Sequence, residues 1–167
     1  MKQSRLIIPT VILCWCVSLG CEFHASSECA RLCSLPYDQQ NKTFLSEPLN
    51  KEIDLYLECT CKEDSVTSDY RFSGYIAKKG KEAIPSLVER LKSEKDEEKQ
   101  LKIINAFSQM SFEDMHGRQD VVDLVKSTVA NMKGSFLDSL GGNEDNKKYG
   151  QELATKIELN SKELDRH

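Results

Sequence analysis

Gly80-Lys81-Glu82-Ala83-Ile84-Pro85-Ser86-Leu87-Val88-Glu89-Arg90-Leu91-Lys92 is followed by a charged run, Ser93 to Lys99, and then by Leu101-Lys102-Ile103-Ile104-Asn105-Ala106-Phe107. Ile84, Leu87, Val88 and Leu91 recur at i, i+3, i+4 and i+7, which is one face of an α-helix. Pro85 is compatible with that helix because a residue in the first turn has no intrahelical N–H bond to lose. The charged run reads as a polar turn. Beyond it, Leu101, Ile103, Ile104, Ala106, Phe107 and Met110 form a stripe too broad for one neighbour to cover, so the second helix is expected to be enclosed on more than one side.

Helical spacing continues outward from this pair. Phe72, Tyr75 and Ile76 face inward on a helix begun by Asp69 and stopped at Gly80, a C-terminal glycine. Leu49, Ile53, Tyr56 and Leu57 predict an amphipathic helix over 47–59, behind a Ser46 cap and with Pro48 in its first turn. Phe112 to Gly117 reads as a loop. Val121, Val122, Val125, Val129 and Met132 start a long helix that runs through Phe136, Leu137 and Leu140 to Gly141-Gly142, and Tyr149, Leu153 and Ile157 mark a C-terminal helix. No alternating run demands a strand. The expected fold is all-α, with residues 46–167 as one helical domain.

The stretch from residue 74 to 110 resembles a HEAT repeat, in which a proline-bearing first helix packs antiparallel on a second and successive pairs stack into a solenoid. The repeat proper covers about 81–110, with Ser93 and Lys99 standing where the family carries its turn aspartate and ladder arginine. The resemblance implies a short HEAT-like antiparallel helical array. An irregular helical bundle is the alternative, since no second copy follows at a fixed period.

The N-terminus speaks to location. Lys2 and Arg5 precede an apolar run from Leu6 to Leu19, which fits a secretory signal peptide over 1–20 and is too short to span a bilayer. Val17-Ser18-Leu19-Gly20-Cys21 resembles a bacterial lipobox with its minus-three and minus-two residues reversed, which implies lipidation of Cys21, palmitate-type acyl chains included. An ordinary signal peptidase could cut the same bond. The whole chain is similar to small bacterial lipoproteins. Glu22 stands where aspartate would signal inner-membrane retention, which implies the outer membrane, facing the periplasm. Residues 21–45 are then a tether and a cysteine-containing segment.

Cysteine parity agrees. Of seven cysteines, Cys14 and Cys16 leave with the signal segment, and a lipidated Cys21 leaves Cys29, Cys33, Cys59 and Cys61 as an even set. Cys29 and Cys33 are four apart on a helix, and Cys59 and Cys61 are too close for an easy local bridge, so each pair is expected to reach the other, with the connectivity open. A four-thiolate zinc site is the alternative, but zinc knuckles use wider spacing than Cys59-x-Cys61.

Charge and motifs bound the chemistry. With 23 basic and 27 acidic residues the chain carries a formal charge of −4, and loss of Lys2 and Arg5 makes it more negative, which argues against nucleic acid as a partner. His24 lies in the tether and His167 at the terminus, so His116 is the sole histidine of the expected domain. It has no catalytic-motif partner. Lys78, Lys79 and Lys81 beside Gly80 read as a solvated helix end, and Glu97-Glu98, Glu113-Asp114 and Glu144-Asp145 as solvated turns. No catalytic residue, metal site or cofactor is expected. The expectation is a non-enzymatic envelope lipoprotein, held to a membrane through Cys21 and presenting a helical surface to a protein partner. One specific version is an immunity or inhibitor protein against a periplasm-acting toxin. The other class is a metal carrier or small enzyme using His116 or the cysteines. The exposed ends of the HEAT-like pair and the Phe112 to Arg118 loop, with Phe112 and Met115, are the candidate contact surface. Cys21→Ala is expected to move the protein from the membrane fraction to the soluble fraction on cell fractionation, and retention on the membrane would exclude a Cys21 anchor.

Overall fold

A computed structural model describes residues 27–59, 61, 67–133 and 146–162 of the 167-residue chain. Among them are the helices α1 (Ser27–Cys33), α2 (Tyr37–Leu45), α3 (Leu49–Glu58), α4 (Thr67–Ala77), α5 (Ile84–Ser93), α6 (Glu97–Ser108), α7 (Phe112–Met115), α8 (Gln119–Asn131) and α9 (Asn146–Lys162), a 3-10 turn over Gly80–Glu82, and no strand. The signal segment, Cys21, His24, Phe136, Leu137, Leu140, Gly141-Gly142, Glu144-Asp145 and His167 lie outside the described residues.

Local chemistry sets the boundaries. Asp96 caps α6 by accepting the N–H groups of Glu98 and Lys99, and Glu97 and Glu98 add negative charge at the positive end of the helix. The turn before it is held by the Glu94 carboxylate, which takes the N–H groups of Lys95 and Asp96. Both α2 and α3 begin just after a proline in extended conformation, Pro36 and Pro48, whose missing N–H costs nothing ahead of a helix. Ser111 caps α7, accepting the Asp114 N–H at 3.3 Å.

The helices assemble as a short array in which consecutive helices pack in three pairs, α3/α4, α5/α6 and α8/α9. Their second members lie side by side, with α6 between α4 and α9, and among the first members α5 touches α8. Hydrogen bonding from Ser86 to Asn50 at 2.9 Å and an ion pair between Arg90 and Asp54 join α5 to α3. Helix α3 also reaches α6, so α6 is enclosed as its broad stripe predicts, and every residue from Leu101 to Ser108 is buried. At the N-terminal end α1 and α2 pack on α3, and Phe44 of α2 stacks on Phe72 of α4 with ring centroids 4.4 Å apart.

Gly80 holds the junction between α4 and α5. Its φ is +53°, and a β-carbon there would lie 2.5 Å from Oδ1 of Asp114, which also accepts the Lys81 N–H at 3.3 Å. The position therefore excludes a side chain twice, by backbone conformation and by contact.

Several local expectations are corrected. Ser46 does not cap α3; its hydroxyl donates to the Thr43 carbonyl at 2.8 Å and closes α2, while Pro48 occupies the N-cap position of α3. Asp69 lies inside α4, which begins at Thr67. The long helix from Val121 ends at Asn131, where Met132 turns to extended backbone and the Lys133 N–H donates to Glu97 at 2.6 Å. Residues 112–115 are a helical turn, not a loop. Met115 is fully buried in it and belongs to the core, whereas Phe112 is half-buried with its ring 5.3 Å from that of His116 and keeps part of its apolar surface outward.

Two outcomes follow from this packing. Gly80→Ala is expected to lower the unfolding free energy by about 3 kcal/mol in chemical denaturation, from left-handed strain plus the Asp114 clash, whereas Gly117→Ala, also at positive φ but in open space, costs about 1 kcal/mol. On α9, Glu158 pairs with Lys126 of α8 and with Lys162, each at 2.5 Å, and these ammonium groups hold its carboxyl down at about 2 from an ordinary 4.5. A depressed carboxyl stabilises the fold above its ordinary value and loses that contribution as pH falls toward 2. Urea midpoints between pH 4.5 and pH 2 are thus expected to drop more steeply for the native protein than for Glu158→Gln.

Candidate functional site

The four cysteines of the described region converge at one end of the array. Cys29 and Cys33 sit one above the other on α1, about 6 Å apart along the helix axis. Cys59 is the C-cap of α3 and is already extended, with φ −91° and ψ 127°. Residues two apart in extended chain point the same way and are about 6.6 Å apart, so the Cys59-x-Cys61 spacing matches the Cys29-x3-Cys33 spacing across the gap. The result is two parallel disulfides, Cys29–Cys59 and Cys33–Cys61, with Cα–Cα separations of 5.2 and 5.1 Å. The narrow spacing that disfavours a zinc knuckle is what makes a two-rung ladder possible.

The ladder is almost dry. Cys29, Cys59 and Cys61 are buried, and Cys33 is half-buried. It is also wired into the core, because the buried Lys102 of α6 donates from Nζ to the Cys59 carbonyl at 3.5 Å and Tyr56 donates to the Lys102 carbonyl at 2.8 Å. Lys51 and Glu28 form an ion pair that ties α3 to α1 beside the ladder, and the Glu28 carboxylate raises the Lys51 ammonium above its ordinary value. Sulfurs of Cys29, Cys33 and Cys59 all lie within 4.8 Å of one another.

The other candidates form no common cluster with the cysteines, although the Glu113-Asp114 turn meets the lysine cluster where the Lys81 N–H donates to Asp114. His116 is exposed at the end of α7, with its ring 5.3 Å from that of Phe112. Asp114 is committed to structure, accepting from the Ser111 hydroxyl at 2.6 Å and from the Lys81 N–H. Glu97 receives the Lys133 N–H, and Glu98 stands 3.9 Å from Lys102. Of the lysine cluster, Lys79 turns inward to the fully buried Glu52 at 3.2 Å, and Lys78 lies 5.7 Å from the centre of the Tyr75 ring. Sequence spacing did not single out Glu52 or Lys102 as buried charges. Their helical positions on otherwise apolar faces were the available signal.

No membrane-length apolar helix occurs among the described residues. Comparison with protein-family models, with curated proteins and with solved structures finds no match to this chain.

Because the two rungs close nearly the same loop, their contributions do not add. The first closes a loop of about 30 residues, and with it in place the second closes a ring of only about eight. Chain-entropy estimates give about 2 to 3 kcal/mol lost on removing either rung and about 6 kcal/mol on removing both. Denaturation of Cys29→Ser/Cys59→Ser, Cys33→Ser/Cys61→Ser and the quadruple variant checks this. A quadruple loss equal to that of one double variant would contradict it.

Proposed function

We propose that this chain is a non-enzymatic, lipid-anchored protein of a bacterial cell envelope, exported by its N-terminal segment, held to a membrane through Cys21 and acting as a helical protein-binding module. The observation that carries the reading is the array of three stacked helix pairs with one end stapled by two disulfides. Stacked pairs make extended, rigid surfaces suited to contact with another protein, and the HEAT family to which the α5/α6 pair is similar uses them so. Disulfides support an oxidising compartment, in keeping with export. Buried charges such as Glu52 and Lys102 are tied up inside the array, which leaves ordinary mixed-charge helix faces outward.

An immunity or inhibitor protein is the most specific version of the same reading, and the identity of the partner decides it. The test is capture of a C-terminally tagged copy from its own envelope after mild crosslinking. A single stoichiometric partner is the expected result, a toxin or hydrolase indicating inhibition and an assembly component indicating a scaffold. Recovery of nothing above background would overturn the binding role.

A further inference from the structure

We propose that the cysteine ladder is a thiol–disulfide exchange site in which Cys33 is the attacking sulfur, so that one dithiol, by opening the outer Cys33–Cys61 rung alone, unfastens α1 from α3 altogether. This goes beyond the binding role above and does not depend on it. Access selects Cys33. The other three cysteines are 1 to 5% exposed, whereas Cys33, the last residue of α1, is half-buried, so an incoming thiolate meets its sulfur first. Proximity then links the rungs. The Cys33 sulfur lies within 4.8 Å of both sulfurs of the inner Cys29–Cys59 rung, so a thiolate formed there has a disulfide as its immediate neighbour. Cys29 is the partner it can keep. Helical residues four apart have Cα atoms about 6 Å apart, inside the range a disulfide spans, and Cys33 ends α1, where the last turn can tighten to bring the sulfurs together.

The exchange consumes one dithiol. One of its thiolates attacks the Cys33 sulfur, forming a mixed disulfide and expelling the Cys61 thiolate. The donor's second thiolate then attacks its own bonded sulfur and expels the Cys33 thiolate, so the donor leaves as a disulfide and its two protons pass to the cysteines. Next the Cys33 thiolate attacks the Cys29 sulfur. A Cys29–Cys33 bond forms, the Cys29–Cys59 bond breaks, and the electron pair and a proton end on Cys59. This last step needs no further reductant, since one disulfide replaces another. The buried Lys102 ammonium, held on the Cys59 carbonyl at 3.5 Å, places a cation at the residue that takes the charge. The product carries its one disulfide within α1 and two thiols, Cys59 and Cys61, on the α3 side. Two independent rungs would need two dithiols to reach an unfastened state, and the ladder needs one.

The test uses the full chain without denaturant. Cys61→Ser leaves Cys33 as a thiol beside an intact inner rung, so no reductant is needed. After incubation at mildly alkaline pH, acid quench, alkylation and peptide mass mapping, the expected result is a Cys29–Cys33 bond with the alkyl label on Cys59. In the native sequence, one equivalent of dithiol, supplied as dithiothreitol or as reduced thioredoxin, is expected to give the same bond with labels on Cys59 and Cys61 of one molecule. The faster donor marks the site as one for small or for protein dithiols, and either supports the exchange. Reduction of Cys29–Cys59 is expected to be several-fold slower in Cys33→Ser/Cys61→Ser than in the native sequence, although loss of the outer rung loosens the ladder. Label confined to Cys33 in Cys61→Ser, or an inner rung reduced as fast or faster in the double variant, would overturn the proposal. Both variants retain the inner rung, and unchanged helical circular dichroism checks that each is folded. Should either fail to fold, the map of the native sequence decides, and labels on Cys33 and Cys61 with Cys29–Cys59 intact count against the exchange.

Discussion

From Leu101 to Ser108 the chain has no exposed residue, and the burial of this one segment of α6 organises everything around it. Apolar side chains on all sides oblige α3, α4, α5 and α9 to gather against it, because each uncovered leucine or isoleucine would forgo roughly 1.5 to 3 kcal/mol. The segment also takes polar groups inside. Asn105 donates to the Ser73 hydroxyl at 3.3 Å, Gln109 donates to the same hydroxyl at 2.6 Å, and Ser108 returns its hydroxyl to the Asn105 carbonyl at 2.8 Å. Apolar contact alone would let α4 slide along α6. Satisfying these groups requires one register, so the polar network specifies what the hydrophobic effect only compresses.

The helix pair on which the fold reading rests was legible because its signals are local: a proline in the first turn, a charged turn, and a stripe of apolar residues at helical spacing. The full array was not, for a physical reason. Its three pairs are separated by unequal insertions, with α7 between the second and third, so no constant period links them, although α4, α6 and α9 lie side by side. Helix α2 went unread for another reason. Tyr37 to Leu45 is mostly polar, and only Phe44 and Gln40 are buried, too few points to show a period. Capping residues misled where two helices meet closely: Ser46 lies between α2 and α3 and serves the first.

At the cysteines, parity and spacing were enough to identify the bridging set but not the partners. Connectivity depends on how an extended segment is threaded against a helix, which only the tertiary arrangement decides. Glu52 and Lys102 show the complementary limit. Each looks like a solvent-facing charge in a charge-rich chain, and each is buried because an opposite group or a carbonyl is delivered to it from a distant element, Lys79 in one case and Cys59 in the other.

The paired bridges also determine how the molecule carries mechanical force. Tension entering from the chain ahead of Ser27 travels along α1 only as far as Cys29, and from there the Cys29–Cys59 bond carries it straight to the end of α3. The intervening residues, with α2 and the Phe44–Phe72 stack among their contacts, hang outside the loaded path. A pull on that end cannot peel the two short N-terminal helices away one turn at a time, and strain passes by covalent bonds to the segment that Lys102 fastens to the centre of the array.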